Sequence, residues 1–391
     1  MLPNLFQMKK TTLIFLLFFA AISMALITIG FTTRKYFNPD KTHITDKLKI
    51  RTEVIAQGLI SPWSFVFLKN GDLLFTEKGG ELRIIQQGKL LEEPIKGLPK
   101  IYVRGQGGLM DLELHPDYAD NGWIYISYSS QDESGKESGG NTTLMRARIR
   151  NHELVDKRVL FKATPNTTRG QHFGGRIEFD NKGFLYLSVG DRGERNLAQS
   201  TNNYNGKIFR LHDDGTIPND NPFVDKKGAL KAIYSYGHRN PQGLAFNTVT
   251  GEMWETEHGP RGGDEVNIIR KGNNYGWPVI TYGINYDGSI ITRDTVKAGM
   301  EQPVIFWRPS IAPCGMAFIT SDKYPGWKGD LLVGSLKFQY VVRCDVRGND
   351  ILGQEKILEG LGRIRSIRQG PDGYIYVSAE GSGMIVRLVP E

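Results

Sequence analysis

The run Gln171, His172, Phe173, Gly174, Gly175, Arg176 leads straight into an alternating apolar segment. An imidazole at that point sits where a strand begins, and its ordinary pKa of about 6.5 suits it to take a proton near neutrality. A histidine packed in a core, or one serving a turn, fits the same run. Residues 238–243 (His, Arg, Asn, Pro, Gln, Gly) enter a second such segment. Pro241 removes a main-chain donor and fixes the entry, which leaves Arg239 and Asn240 on the rim. A guanidinium there offers a permanently charged fork to a carboxylate or to a developing oxyanion; a surface arginine in a turn has the same sequence.

Residues 257–265 form a polar, glycine-rich turn containing Gly259, Pro260, Asp264 and Glu265. Calcium takes six to eight oxygen ligands, many of them main-chain carbonyls. Gly259 and Pro260 can offer carbonyls and the two acids carboxylates, although Asp/Gly turns also occur without metal. Residues 274–278, which include Tyr275 and Trp277, follow closely and can add a carbonyl or an aromatic wall. Further on come Lys337 and the pair Arg363 and Arg365. Residues two apart on a strand share a face, and two guanidiniums on one face repel unless they meet water or an anion. Facing a pore, they call for a polyanionic ligand; on an outer face they are merely solvated.

The elements that must position these groups recur as one phrase: an alternating strand, a turn rich in Asp, Asn and Gly, and a second alternating strand. It occupies residues 64–76, 111–127, 176–188, 243–255, 315–334 and 366–378. Period-two alternation marks half-buried strands, and the Asn-Gly and Asp-Gly pairs mark hairpin turns. One such sheet cannot bury its own faces, whereas sheets stacked radially can, so the expected fold is all-β, a six-bladed β-propeller of four-stranded antiparallel blades. The polar insertions 132–143, 191–206 and 282–302 are the long loops in which function concentrates. No amphipathic helix pattern follows residue 40, and one domain is expected over residues 50–391.

The net charge is +7, but the basic residues are spread among acidic ones and form no dense tract. Nucleic acid, whose phosphates demand a concentrated patch, is therefore excluded as a partner. Near the N-terminus, Lys9 and Lys10 precede an apolar stretch at 13–31, and Arg34 and Lys35 follow it. About 19 residues can span a bilayer. Residues 1–36 therefore read as a signal peptide or an N-terminal membrane anchor, with a polar linker at 37–49; either exports the rest to the periplasm or the exterior. Cys314 and Cys344 fit either a disulfide in an oxidising compartment or two buried thiols.

Several phrases, taken in order, carry a resemblance: residues 105–109 (Gly, Gln, Gly, Gly, Leu) with 114–118 (Leu, His, Pro, Asp, Tyr), 170–176, 237–243, His258, Gly259 and Pro260 with Asp264 and Glu265, and 363–365. From about residue 50 to its end the chain resembles the soluble pyrroloquinoline-quinone (PQQ)-dependent glucose/sorbosone dehydrogenase family, especially its aldose sugar dehydrogenase branch. The resemblance implies an enzyme with PQQ across the mouth of a six-bladed propeller, oxidising the anomeric hydroxyl of an aldose to a lactone and passing electrons to an acceptor it does not identify. It assigns the general base to His172, stabilisation of the charge on the quinone to Arg239 beside Asn240, and a cofactor- and substrate-side contact to Gln106. Lys337, Arg363 and Arg365 would hold the cofactor carboxylates. Gly259 and Pro260 would give carbonyls to an active-site Ca2+, and Glu265 and Tyr275 would hold a second, structural one. Ser310 stands near the cofactor where the family has threonine, and Gln171 stands where glucose-active members have an acid, which detaches glucose from the expectation. Two rival readings are a calcium-dependent propeller hydrolase of lactonase type and a non-catalytic extracellular propeller that binds sugar or protein.

Overall fold

The computed structural model describes residues 37–38, 42–132 and 134–391. The stretch 13–31, read above as anchor or signal, lies outside them; among the described residues no helix is long and apolar enough to cross a membrane. One unit, Pro39–Glu391, holds all the strands described here.

Each of the six phrases is the pair of innermost strands of one antiparallel sheet. The inner strands are Pro62–Phe67, Leu109–Leu114, Ile177–Phe179, Pro241–Asn247, Pro313–Phe318 and Ile364–Gln369. Each pairs with a strand that is buried throughout or nearly so, such as Leu73–Glu77, Leu185–Val189 or Ile375–Ala379, and two further strands complete the blade. The second strands are sandwiched between neighbouring sheets, which is why they read as near-continuous Leu, Ile, Val and Tyr.

Packing runs from blade to blade. Tyr125 and Leu144 of the second blade share one apolar cluster with Ile177, Leu187 and Phe209 of the third. Trp254 of the fourth meets Phe318 of the fifth edge-on, with ring centroids 5.5 Å apart.

The ring is closed by strands from opposite ends of the chain. Lys49–Ala56 pairs with Met384–Pro390 in the sixth blade, with Ile50 opposite Pro390 and Glu53 opposite Arg387. His43–Ile44 adds a short fifth strand at its edge. His43, Ile44 and Lys49 of the expected 37–49 linker are thus sheet. Its sequence is polar because an edge strand meets water and needs little apolar patterning.

Five of the six inner strands carry a register shift near their first residues, at Pro62/Ser64, Leu109/Leu112, Pro241/Gly243, Cys314/Met316 and Ile364/Ser366. A bulge bends a strand and re-aims a side chain, and here it acts where the strands begin. In the channel below, Arg176 donates to Asp111 at 3.2 Å and to the Gln242 carbonyl at 2.6 Å, with its guanidinium over the Trp63 ring at 4.1 Å.

The two cysteines remain free and buried. Cys314 lies on the inner strand of the fifth blade and Cys344 on its third strand, Val341–Arg347.

Candidate active site

His172 precedes the inner strand of the third blade and adopts a left-handed backbone, φ 55°. It can lie this close to the neighbouring hairpin because position 190 is glycine: a Cβ there would stand 2.3 Å from the His172 carbonyl oxygen. Its main-chain N–H donates to Gln106 Oε1 at 2.7 Å, so Gln106 holds the segment bearing the imidazole.

The ring is fixed by a carboxylate. His172 Nδ1 lies 2.6 Å from Asp191 Oδ1, which also accepts the Gly193 N–H, and Asp191 Oδ2 accepts the Trp277 indole N–H at 2.8 Å. Burial works against ionisation of Asp191, but the hydrogen bond from His172 and the positive charge of Arg239 hold its pKa below the usual carboxylate range. An ionised Asp191 can only accept, so the proton sits on Nδ1 and the Nε2 lone pair is free. Burial lowers the His172 pKa; Asp191 opposes this, while Arg239 and Arg192 reinforce it. The imidazole is therefore neutral at pH 7 and able to accept a proton.

Arg239 and Asn240 stand at the entrance of the fourth blade. Their main-chain N–H groups donate to Glu257 Oε2 at 2.5 and 3.2 Å, because Pro241 is paired with Glu257 across the hairpin. Arg239 Nη1 reaches the carbonyls of His258 and Gly259, each at 2.9 Å. Its Nε, and the Nδ2 of Asn240, are buried without a partner.

Asp264 ties the adjoining turn together by accepting from the Gly259 N–H at 2.8 Å, Ser310 Oγ at 2.9 Å and the Ala312 N–H at 2.8 Å. Burial raises its pKa to about 6 even so. Ser310 Oγ also lies 3.2 Å from the Pro260 carbonyl.

Two cavities meet over these groups. The larger, roughly 890 Å³, is lined by Pro260, Arg261, Asp264, Arg308, Ser310 and Lys337 among others. The smaller, roughly 370 Å³, is lined by Gln106, Gln171, His172, Arg239 and Trp277 among others. Pro260 and Tyr286 belong to both.

Of the sequence-derived site residues, the fold brings His172, Gln106, Arg239, Pro260, Ser310 and Lys337 to this pair of cavities, with Gly259 on the larger one and Asn240 just beneath. Arg363 and Arg365 do converge, but on Glu380. Arg365 bonds Glu380 Oε2 at 2.5 Å, Arg363 Nε lies 3.7 Å from the same oxygen, and Lys78 reaches Oε1 at 3.3 Å. Arg365 is buried against Gln242 and Cys314, whereas the Arg363 side chain is nearly half exposed. The one carboxylate of Glu380 thus offsets one of the three positive charges gathered there.

Beneath the Arg239 turn, Glu255, Glu257, Glu265 and Asn267 share one face of a hairpin, with Glu257 opposite Glu265 and Glu255 opposite Asn267. His238 joins Glu255 and Glu257 within metal-binding reach. Glu255 Oε1 and Asn267 Oδ1 have no hydrogen-bond partner, and His238 Nδ1 has only Glu257 Oε1 at 3.5 Å. Burial, reinforced by the charge of Glu257, pushes the pKa values of Glu255 and Glu265 well up. The Tyr275 hydroxyl is engaged with Ile268 O at 2.6 Å and the Arg270 N–H at 2.8 Å, so only its carbonyl is free for a cation.

The sequence reading missed Asp191, Glu380 and the Glu255–Glu257 pair as site residues. A signal for them exists: the second strands of four blades end on an acid or within two residues of one, Glu77, Asp191, Glu257 and Glu380, beside the segment that enters the inner strand. Carrying the Ile177/Leu187 register back five residues sets His172 opposite Arg192, next to Asp191.

The chain is thus a six-bladed β-propeller with an oriented imidazole and a cationic cavity at the entrances of its inner strands. The chain belongs to the Glucose / Sorbosone dehydrogenase family, which it matches over residues 59–387. It is 44% identical over 348 residues to the aldose sugar dehydrogenase of Escherichia coli K12, covering 87% of this chain and 93% of that one. The solved apo structure of the soluble E. coli enzyme superposes with a TM-score of 0.83 at 42% identity, over 88% of this chain and 100% of that one. The PQQ-bound aldose sugar dehydrogenase of Streptomyces coelicolor superposes with a TM-score of 0.72 at 26% identity, over 89% of this chain and 100% of that one.

Proposed function

We propose that this protein oxidises the anomeric hydroxyl of aldoses to lactones, using PQQ and Ca2+, with His172 as general base. The observation that carries the reading is the His172–Asp191–Trp277 chain, which leaves Nε2 unprotonated and facing a cavity shared with Arg239. PQQ bound in the larger cavity would supply a two-electron acceptor, and Ca2+ would polarise its carbonyl.

The residues fit such a group. The larger cavity presents Arg261, Arg308 and Lys337, while Asp264, the one acid on its lining, is already used by three donors. Lys337 and Ser310 would hold the cofactor, and the unpartnered Arg239 Nε and Asn240 Nδ2 are donors in wait for an oxygen. The carbonyls of Gly259 and Pro260 would face Ca2+, with Arg239 and Ser310 yielding the contacts they now make. A second Ca2+ would relieve the crowding of Glu255, Glu257 and Glu265, with the Tyr275 carbonyl beside them.

In the reaction His172 Nε2 would take the proton of the sugar C1–OH, while the hydride from C1 would go to the two-electron acceptor that PQQ supplies when bound. Asp191 would stabilise the resulting imidazolium, and Arg239 would set its permanent positive charge against the reacting end of the bound group. The apolar stretch 13–31 between basic flanks supports export of the propeller, which fractionation of cells expressing the full chain would test.

The direct test is dye reduction by purified protein supplied with PQQ, Ca2+ and an aldose. Reduction that depends on all three is expected; bound cofactor without turnover on any aldose would sink the reading.

A further inference from the structure

The smaller cavity has more positive charge than the reaction uses. Arg169, Arg195 and Arg239 line it, and Asp191 is its one acid, with both oxygens taken by His172, Gly193 and Trp277. Arg169 is matched by Glu194 at 2.8 Å. Three cations less these two acids leave one charge over.

Neither Arg195 nor Arg239 has an ion pair among the described residues, but Arg239 turns its Nη1 to the carbonyls of His258 and Gly259, which leaves Arg195 as the cation not engaged in the Arg239 turn. Its Nη2 reaches across from the 191–206 insertion to the neutral amide oxygen of Asn285 in the 282–302 insertion, at 3.2 Å, and its guanidinium stands 5.8 Å from the Trp277 ring centroid. Gln171, beside the base, adds no negative charge. Glycine at 193 makes room for this lining, since a Cβ there would lie 2.6 Å from Gln171 Nε2 and 3.2 Å from Arg169 Nη1. A neutral sugar leaves the Arg195 fork on an amide and water, whereas a carboxylate or phosphate oxygen pairs with it in a charge-assisted bond.

We propose that the cavity selects aldoses bearing a negative group away from C1, a carboxylate or a phosphate, with Arg195 as its ligand. This rests on the aldose reading above. C1 itself must stand at His172, so the charge belongs elsewhere on the ring.

The test is calorimetric binding of D-glucuronate, glucose 6-phosphate and D-glucose to the full chain, its R195Q variant and its E194Q variant. At least one anion should bind roughly tenfold or more tighter than glucose, the range of one hydrogen bond to a charged group. R195Q should cut that ratio to within about threefold, and E194Q, which frees Arg169, should raise it. The tighter anion identifies the carboxylate or the phosphate as the true source. Glucose binding as well as both anions, no measurable binding of any of the three, or a ratio that R195Q leaves unmoved would overturn the proposal. Dye reduction by the same three sugars is scored separately: its absence for all of them counts against the dehydrogenase reading, while the binding ratio alone decides the role of Arg195.

Discussion

Asp191 binds His172 through Nδ1 at 2.6 Å and so leaves the opposite ring nitrogen facing the cavity. Because the indole of Trp277 occupies the other oxygen, the carboxylate cannot turn away. An Asp191→Asn variant keeps the shape but can present an amide N–H to Nδ1, which turns the free lone pair inward. We expect kcat to fall by roughly a hundredfold or more, with sugar KM nearly unchanged. Steady-state kinetics check this, and a loss under threefold would remove Asp191 from the mechanism.

The base must be neutral to work, and burial lowers the His172 pKa from its ordinary 6.5. Activity should therefore be level above neutrality and decline only on the acid side of that value. Asp191 is a group that raises this pKa, so Asp191→Asn should move the acid limb to still lower pH. Profiles of kcat/KM against pH for both proteins test direction and order; a limb moved upward contradicts the assignment.

Glu380 is a stability group. Burial alone would raise its pKa, but Arg365, Lys78 and Arg363 bring it to about 2. A carboxyl with a lowered folded-state pKa stabilises above its unfolded value near 4.5, and that stabilisation disappears as pH falls towards 2. Glu380→Gln should cost on the order of 3 kcal/mol at pH 7 and little near pH 2. Denaturant melts at the two pH values measure the difference, and an equal cost at both would contradict the linkage.

Chelation should act at the Glu255, Glu257 and Glu265 cluster. Without a cation three acids crowd one buried face, so EDTA should lower Tm by several degrees and calcium restore it. Glu255→Gln should shrink that response. Calorimetric scans with EDTA and with calcium test this, and a Tm indifferent to both would leave the cluster without a metal.

Most of the blade architecture was legible because an inner or second strand is locally determined: residues 73–76 or 375–378 alternate or run apolar wherever they lie. His172 and Arg239 were legible for a related reason, since each lies within five residues ahead of such a strand. Partnerships across a hairpin were harder. Asp191 and Glu380 announce themselves only when register is carried past the strand end, and nothing in the run 363–365 marks Glu380 as the acid its two arginines share. The polar strand Lys49–Ala56 escaped notice because its partner lies more than three hundred residues away. For Cys314 and Cys344, composition admitted pairing, but separate strands of one blade keep the thiols apart.

That long-range pairing also orders events in time. A ribosome has delivered Lys49–Ala56 long before Met384–Pro390 exists, so the nascent chain holds an unfinished circle until that second strand emerges. The sixth blade, which carries Arg365 and Glu380, can be completed only then. Loading of any small molecule into the finished mouth must accordingly follow the pairing of these two strands, and a chain lacking Met384–Pro390 would stay an open arc.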